Sequence, residues 1–214
     1  MAKKSLEKRI QRLEDIQEIK NLMARYAYLH TAGLHEATAE LFAQKTPGVR
    51  MELSPLGVWE GTEGVKRVMV GVHKSMGVGS PGFLFIHTQT TSVIEVAGDG
   101  QTAKGVWMSP GIETRKNPAT GQFIGFWLWG HYGVDFVKED GEWKFWHFHV
   151  YPLFLTPYDK SWTEPRTLSI TPLPDELRPD RPPTYSWWYS TTAEIEYVPA
   201  PPEPYETFDE KKGY

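Results

Sequence analysis

Apolar positions in the first third of the chain recur at spacings of three and four residues, which is typical of helices that bury one face. Residues 5 to about 30 predict one helix with this apolar face: Ile16, Ile19, Met23, Tyr26 and His30. Gly33 ends it, and a shorter helix is predicted from His35 to Ala43. Thr62 is a candidate N-cap for a third helix. Its predicted buried stripe is Val65, Val68, Met69, Val72 and Met76. His35 and His73 lie among polar helix positions and are predicted to be solvated.

Later in the chain the pattern changes to alternation, which is typical of strands. A brief strand is predicted at Val49 to Leu53, followed by a loop with Pro55 and Gly57. Four longer strands are predicted at about 87–97, 102–115, 122–138 and 143–152. Their turns are Gly98-Asp99-Gly100, Asn117-Pro118-Ala119-Thr120-Gly121 and Asp140-Gly141. Helices followed by an antiparallel meander predict an α+β fold with the helices on one face of the sheet.

Beyond residue 157 the composition shifts. Ten of the seventeen prolines lie between residues 158 and 214, together with Trp162, Trp187 and Trp188. Dense proline prevents regular elements, whereas so much tryptophan is unusual in a disordered tail. We therefore predict a domain at 1–157 and an extended arm at 158–214 that wraps the domain or a neighbouring subunit.

The overall composition narrows the possible partners. The chain has 214 residues, a formal net charge of −4 and no cysteine. Nucleic acid and anionic membrane surfaces do not attract such a charge, and thiolate chemistry is excluded. The basic start of the chain, Met1 to Arg9, is not followed by an apolar stretch typical of a signal peptide, and no apolar run has the length of a membrane span. A cytoplasmic protein is expected.

Aromatic residues are abundant, with nine Trp, ten Tyr and ten Phe. Such side chains build cores, interfaces and pockets for flat ligands. On the last strand, alternation places Trp143, Phe145, His147, His149 and Tyr151 on one face. It places Trp146, Phe148 and Val150 on the other. Because both faces are apolar, we expect another subunit or the arm to cover the outside of the sheet, and a homo-oligomer (dimer or trimer) follows.

The order of elements, with several local stretches, resembles the SnoaL-like branch of the nuclear transport factor 2-like superfamily. These stretches are 16–26, 40–42, 61–65, 87–99 and 131–145, and the resemblance covers about residues 10 to 155. It implies a cone-shaped α+β barrel, in which a curved antiparallel sheet wraps three helices around an apolar pocket. Relatives include scytalone dehydratase, bile-acid dehydratases, polyketide cyclases, ketosteroid isomerase and lyases that release formaldehyde from lignin-derived diarylpropanes.

The resemblance also implies candidate catalytic residues. In scytalone dehydratase-like enzymes a histidine at the start of the long strand pairs with an aspartate near the end of the first helix. His87 matches that histidine, but Thr31 occupies the aspartate position and His30 the position of the preceding tyrosine. A second pocket histidine of those enzymes falls near Glu113. By itself, His87 could equally be a hydrogen-bonded core histidine.

Strand alternation supplies further pocket candidates. If Glu113 points inward, so does Trp107, and burial there would raise the pKa of Glu113. The alternative is a solvated carboxylate at the strand end. The family pattern turns Tyr132 and Leu128 inward as well, so that Trp107 would stack on a substrate and Tyr132 would orient it.

Several candidates remain open between function and structure. Tyr26 and His30 lie one helical turn apart on the buried face and could line the pocket or fill the core. Arg50 is either an inward anion contact or a surface charge. His147 and His149 share a strand face at a spacing that can hold a metal, but the sequence offers no third ligand nearby. We expect no metal, and assign His149 to substrate contact.

These observations predict a cofactor-independent acid–base lyase. The expected substrate is a bulky, hydroxylated aromatic small molecule, and the reaction is dehydration or formaldehyde-releasing carbon–carbon cleavage of a lignin-derived diarylpropane. His87 and His30 would move protons, with Tyr26 and Glu113 assisting. Two alternatives remain: an isomerase or cyclase acting on a polycyclic ketone, and a binding module without catalysis. Neither a Gly-x-Ser-x-Gly elbow nor a glycine-rich phosphate loop occurs, so no nucleotide cofactor is expected.

Overall fold

The computed structural model describes residues 5–117, 120–164 and 172–214. The predicted turn residues Pro118 and Ala119 and the arm at 165–171 lie outside the described residues. Helix α1 (Leu6–Thr31) begins after Ser5, whose side chain accepts a hydrogen bond from the Lys8 N–H. Four of the five residues of the predicted face are buried, namely Ile19, Met23, Tyr26 and His30, whereas Ile16 is half-buried and Asp15 is buried next to it. The first predicted helix is therefore confirmed.

Helix α2 (His35–Ala39) ends earlier than predicted. The chain leaves the helix because its backbone joins the sheet: the Ala43 N–H donates to the Phe145 carbonyl at 2.7 Å, and the Phe145 N–H donates to Leu41 at 3.0 Å. His35 is buried rather than solvated, and its Nε2 lies 3.1 Å from the Val78 carbonyl. The expectation for His35 was wrong because the segment around Val78 folds back over α2.

The third helix contains an irregularity that the sequence pattern did not reveal. Helix α3 (Gly61–Lys66) continues directly into a π-helical segment (Arg67–Val72) and a last turn, α4 (His73–Ser75). Thr62 does not cap it: the N-cap residue is Glu60, and its side chain makes no capping hydrogen bond. Most of the predicted stripe is buried, but so is His73, which was expected to be solvated. A π-helical turn holds more residues than an α-helical turn, so it changes which positions face inward afterwards.

Seven strands form one curved sheet in the described part of the chain. They are β1 (Arg50–Leu53), β2 (Gly57–Glu60), β3 (Phe85–His87), β4 (Thr90–Val96), β5 (Thr102–Lys116), β6 (Phe123–Glu139) and β7 (Glu142–Pro157). Their order is β2-β1-β7-β6-β5-β3, and β4 also pairs with β5. Every pairing is antiparallel except that between β1 and β7. The α+β class is confirmed, and β2 replaces part of a predicted loop.

The strand predicted at 87–97 is divided in two. Strand β3 ends at His87 and β4 begins at Thr90, and both pair with β5. The register shifts between Thr90 and Val93, and Thr91 has a φ of 51°, in the left-handed region that extended strands avoid. His87 therefore lies at a strand end, beside the break, rather than at the start of a continuous strand.

A bulge between β6 and β7 reverses the predicted faces of the last strand. Asp135 pairs with His147 but the next residue, Phe136, pairs with Phe145, which leaves Trp146 as the extra residue. Phe145 consequently packs against Tyr26 of α1 with ring centroids 5.8 Å apart. The expectation that Phe145 and His147 share a face was wrong, because alternation assumes an unbroken ladder.

The C-terminal segment lies on the outer face of the sheet of the same chain. The Tyr214 N–H donates to the Asp135 carboxylate at 2.8 Å, and Phe208 packs on Trp146 with centroids 4.6 Å apart. Earlier in the same segment, the N–H and the hydroxyl of Thr184 both donate to the Glu52 carboxylate. The apolar outer face that led us to expect a dimer or trimer is thus covered within one chain.

None of the helices in the described residues combines the length and the apolar character that crossing a bilayer requires.

A buried carboxylate joins α1 to the sheet. Asp15 is 2% exposed and accepts hydrogen bonds from Lys138 at 2.6 Å and from the indole of Trp143 at 3.1 Å. Replacing Asp15 by alanine leaves both donors without a partner, so we expect the free energy of unfolding to fall by about 3 kcal/mol. Urea denaturation measures this. The neighbouring Glu14→Ala on the exposed face is the control, with an expected change of about 0.5 kcal/mol or less; equal effects would contradict the assignment.

Candidate active site

Three side chains from three strands meet where β3 ends. His87 leaves the end of β3, and its ring lies between Glu113 of β5 and Tyr132 of β6. The Nε2 atom of His87 is 3.7 Å from Oε2 of Glu113, and Nδ1 is 3.5 Å from the Tyr132 hydroxyl. The His87 side chain is 13% exposed, whereas that of Glu113 is 2% exposed. A buried carboxylate therefore faces one nitrogen of a partly accessible imidazole.

Glu113 is held in its charged form by two neighbours. Burial raises its pKa, but His87 and the Arg115 guanidinium together outweigh burial, so the pKa lies below the ordinary value of 4.5. The Arg115 Nε donates to Oε1 of Glu113 at 2.5 Å. Neither alternative from the sequence is correct: Glu113 is buried rather than solvated, and its pKa is lowered rather than raised. Arg115, two residues along the same strand face, is the reason.

A second histidine approaches His87 from α1. The ring centroids of His30 and His87 are 5.3 Å apart, and His30 stacks on Tyr26 with centroids 5.6 Å apart. Burial, followed by the neighbouring imidazoles of His73 and His87, holds the pKa of His30 well below 6.5. His30 is therefore neutral at neutral pH, next to a histidine that has a carboxylate beside it. Two adjacent imidazoles in such different surroundings can take opposite roles in proton transfer.

Both tyrosines of the site remain protonated phenols. Burial raises the pKa of Tyr132 to about 12, and it raises that of Tyr26 well above 10.0. Their rings meet edge to face with centroids 6.2 Å apart. Gln89, from the break between β3 and β4, also lies beside the Tyr132 hydroxyl. These phenols can donate hydrogen bonds to an oxygen atom of a bound molecule.

Buried polar atoms without a hydrogen-bond partner concentrate at this place. Among the residues described, five such side-chain atoms occur, and three belong to the site: His30 Nδ1, His87 Nε2 and Gln89 Oε1. Each unpaired buried group costs about 1–3 kcal/mol. A catalytic role is one of the reasons for which native proteins keep such groups. Nδ1 of His30 and Oε1 of Gln89 are available to a polar ligand, whereas Nε2 of His87 faces the Glu113 carboxylate at 3.7 Å.

The remaining inward candidates line or back the site. Leu128 pairs with Gly111, which pairs in turn with His87, so these residues form one row across the sheet. Trp107 points inward but folds over Gly105 and packs against Phe136 with centroids 5.9 Å apart. It belongs to the core, and no described contact joins it to His87.

Two predicted contacts lie elsewhere. His149 is on the outer face, where its Nε2 is 2.9 Å from the Ser54 hydroxyl and 3.2 Å from Glu52. Arg50 bonds Glu210 at 3.2 Å and the Tyr214 carbonyl at 3.1 Å, beneath the C-terminal segment. Both expectations of substrate contact were wrong, since the β6–β7 bulge turns His149 outward and the C-terminal segment occupies Arg50.

Among the described residues, no three His, Asp or Glu side chains are grouped so that they could hold a metal ion. The outer-face pair has other partners: the Nδ1 of His147 lies 2.8 Å from Asp135, and His149 contacts Ser54 and Glu52.

Three residues near the site were missed from sequence. Arg115 shares the alternation of Glu113, by which Ser109 was expected to point inward, so the strand pattern contained a signal for Arg115 as well. His73 packs edge to face on His30 with centroids 4.8 Å apart, and Gln89 sits in the strand break. The π-helical segment and the break, which position these two residues, leave no periodic signature.

Comparison with known proteins agrees with this architecture. A provisionally assigned scytalone dehydratase from Novosphingobium aromaticivorans DSM 12444 has a TM-score of 0.57 and 20% identity, over 71% of this chain and 92% of that chain. A hexachlorocyclohexane dehydrochlorinase, LinA-type3, from Novosphingobium barchaimii LL02 has a TM-score of 0.55 and 16% identity, over 77% and 99%. At such low sequence identity, these structural similarities show a shared fold and nothing more.

A third structure of the same fold is named for different chemistry. It is a provisionally assigned aromatic ring hydroxylase from Novosphingobium aromaticivorans, with a TM-score of 0.54 and 21% identity over 68% of this chain and 94% of that chain. Among curated proteins no match is found. The family model described as a SnoaL-like domain matches residues 11–149. The chain therefore belongs to the SnoaL-like domain family.

Proposed function

We propose that this protein is an enzyme, a cofactor-independent acid–base lyase that acts on a hydroxylated aromatic small molecule. The observation that carries the proposal is the arrangement of His87, with the buried, charged Glu113 on one nitrogen and the neutral His30 beside its ring. Lyases that remove water need a base for a carbon-bound proton and an acid for the leaving oxygen. His87 can serve as both in turn, because Glu113 lies beside it, while the neutral His30 can hold the leaving hydroxyl.

Glu113 determines which nitrogen of His87 is basic. A carboxylate facing Nε2 favours the tautomer with hydrogen on Nε2, which leaves the lone pair on Nδ1. Nδ1 faces the Tyr132 hydroxyl at 3.5 Å, a long contact that a substrate can replace. When Nδ1 takes a proton, the imidazolium is stabilised by Glu113. In scytalone dehydratase-like enzymes an aspartate near the end of the first helix stabilises the imidazolium. Thr31, at the exposed end of α1, occupies that position here and carries no charge, so Glu113 takes over this role.

The dehydration then balances without a cofactor. His87 removes a proton from the carbon next to the one that bears the hydroxyl, and the electron pair of that C–H bond forms the double bond as the C–O bond breaks. The His87 imidazolium returns the proton to the departing hydroxyl, which leaves as water. His30 hydrogen-bonds that hydroxyl, and the phenols of Tyr26 and Tyr132 donate to a carbonyl oxygen on which charge develops.

The choice of reaction rests on the fold relatives and on the aromatic lining. Two of these relatives carry the names of eliminations, a dehydratase and a dehydrochlorinase. The same base can also deprotonate the hydroxymethyl group of a diarylpropane that carries a hydroxyl on the neighbouring carbon. As formaldehyde is released, the electron pair of the broken C–C bond forms the double bond of a stilbene, and that hydroxyl takes the proton and leaves as water. We place dehydration first and this carbon–carbon cleavage second.

A substrate screen tests the proposal. The protein is incubated with β-hydroxy aryl ketones, lignin-derived diarylpropanes and polycyclic ketones, and products are followed by mass spectrometry together with a formaldehyde assay. Loss of water, or formaldehyde with a stilbene product, supports the lyase. Isomerised polycyclic ketones without elimination products would overturn it in favour of an isomerase, and tight binding without turnover would indicate a binding module.

Substitution of Glu113 tests the role of the carboxylate. Glu113→Gln keeps the side-chain shape but removes the charge that stabilises the His87 imidazolium, so we expect kcat/KM to fall by about 10- to 100-fold. The value of kcat against pH is the measurement. The control is Glu95→Gln, which lies on β4 and pairs with Arg12 away from the site. An unchanged kcat in Glu113→Gln would contradict the role of the carboxylate.

A further inference from the structure

The exposure of side chains in the site increases along β5 toward its end. Along β5, Ser109 and Glu113 are buried, the Arg115 side chain is 34% exposed, and Lys116 is exposed. Because exposure increases in this direction, the end of β5 forms one rim of the site.

Aromatic rings connect the rim to the imidazoles. Phe123 meets Phe83 with centroids 5.1 Å apart, and Phe83 stacks on Phe85 at 6.4 Å. Phe85 lies 6.2 Å from the ring of His87 and 6.5 Å from that of His30. The rings form a continuous apolar wall from the surface to the reacting groups, which suits a flat aromatic ligand.

Two cations at the end of β5 each lie over an aromatic ring. The Lys116 ammonium lies over the rings of Phe123 and Phe83, at 5.2 and 5.7 Å from their centroids. The Arg115 guanidinium lies 5.8 Å from the centroid of Phe126. Of these two cations, Arg115 also contacts the proposed catalytic residues, because its Nε donates to the Glu113 carboxylate that faces His87.

We infer that Arg115 is a specificity-determining residue and that the substrate is an aromatic carboxylate, whose anionic group binds the Arg115 guanidinium while the ring lies along the phenylalanine wall. This inference rests on the proposed function, since it names the substrate class of the same site. A guanidinium presents five N–H donors in a planar fork, so its Nε can hold one carboxylate while its outer edge binds another. Lys116 adds positive charge at the rim without a fixed geometry.

The position of Arg115 also constrains where the reaction occurs on the substrate. The Glu113 carboxylate and the imidazole ring both lie between the guanidinium and Nδ1, the proposed basic nitrogen. The substrate carboxylate and the carbon that loses its proton must therefore lie at separate positions on the substrate rather than on neighbouring atoms.

A matched pair of probes tests the inference without depending on turnover. Naphthalene-2-carboxylate and naphthalene-2-carboxamide have the same shape and differ in charge. Binding to the full chain is measured by isothermal titration calorimetry, with wild type, Arg115→Met, Glu113→Gln and, as the control for loss of one positive charge, Arg25→Met on the exposed face of α1. We expect wild type to bind the carboxylate about tenfold or more tightly than the amide.

The variants separate anion binding from a structural role of Arg115. Arg115→Met is expected to abolish the preference for the carboxylate while leaving amide affinity nearly unchanged, and Arg25→Met is expected to keep the preference. Glu113→Gln is expected to increase it, because a competing negative charge is removed. Equal affinities in wild type, or an equal loss for both probes in Arg115→Met, would overturn the inference. The proposed lyase activity fails separately, in the substrate screen.

Discussion

Replacing His87 by glutamine is expected to lower kcat/KM for the eliminated substrate by about 10²- to 10⁴-fold, the usual contribution of one general acid–base group. Glutamine can hydrogen-bond Glu113 and Tyr132 but cannot accept the substrate proton at neutral pH. Because the reaction is proposed to return the same proton to the leaving hydroxyl, both halves of the proton transfer are lost. Steady-state kinetics with the substrate found by screening measures the effect.

Binding measurements test whether the loss of activity in His87→Gln comes from weaker substrate binding. The affinity of His87→Gln for a product or an inert analogue is expected to stay within a few-fold of wild type, since the ring wall and Arg115 remain. His131→Gln, on the outer face of β6, is the control and is expected to retain full activity. If His87→Gln remained active while Glu113→Gln lost all turnover, the carboxylate would be the base, as in the isomerase alternative.

Some parts of this site followed from the sequence because they depend on regular geometry. Alternation placed Glu113 on the same face as Trp107, and the family pattern implied that Tyr132 points inward. Both hold because β5 and β6 pair without a shift from residue 102 to residue 116. The buried face of α1, including Tyr26 and His30, likewise needed only the helical period. Where an element is regular over several turns or pairs, local sequence determines which side chains meet.

Other parts depend on irregularities that long-range packing creates. One extra residue at Trp146 turned His149 to the outer face, and the π-helical segment turned His73 toward His30. Neither has a local signature, because a bulge or a wide turn is stabilised by contacts with distant elements. The charge state of Glu113 was also missed, since it depends on Arg115 as well as on burial.

The role of Glu113 shows how a position-by-position comparison can mislead. The aspartate position of related dehydratases holds Thr31, which suggested that His87 had no carboxylate. The sheet brings Glu113 to within 3.7 Å of His87 from β5 instead. The physical requirement is a charged oxygen near one imidazole nitrogen, and a different element can supply it. A search for carboxylates facing inward on neighbouring strands is therefore more informative than the aligned column.

Buried neutral histidines make the folded protein sensitive to acid, and this is the largest stability effect that we expect. Burial lowers the pKa of His73 to about 4 and that of His149 to about 3, and His30 is also held well below 6.5. The unfolded chain binds these protons near pH 6.5 while the folded chain does not. Stability is therefore fully present above pH 6.5 and is lost as the pH falls below it, down to the folded pKa values.

The expected loss is large relative to the stability of a typical domain. At pH 5 His73 and His149 each cost about 2 kcal/mol, so the two together cost about 4 kcal/mol, against about 5–15 kcal/mol in total. His30 adds to the loss in the same direction. Urea denaturation from pH 7.5 to pH 5 measures the decline. His73→Gln is expected to reduce the slope by the share of one histidine, about 2 kcal/mol between pH 7.5 and pH 5. A free energy of unfolding that stayed constant to pH 5 would contradict burial of the three neutral imidazoles.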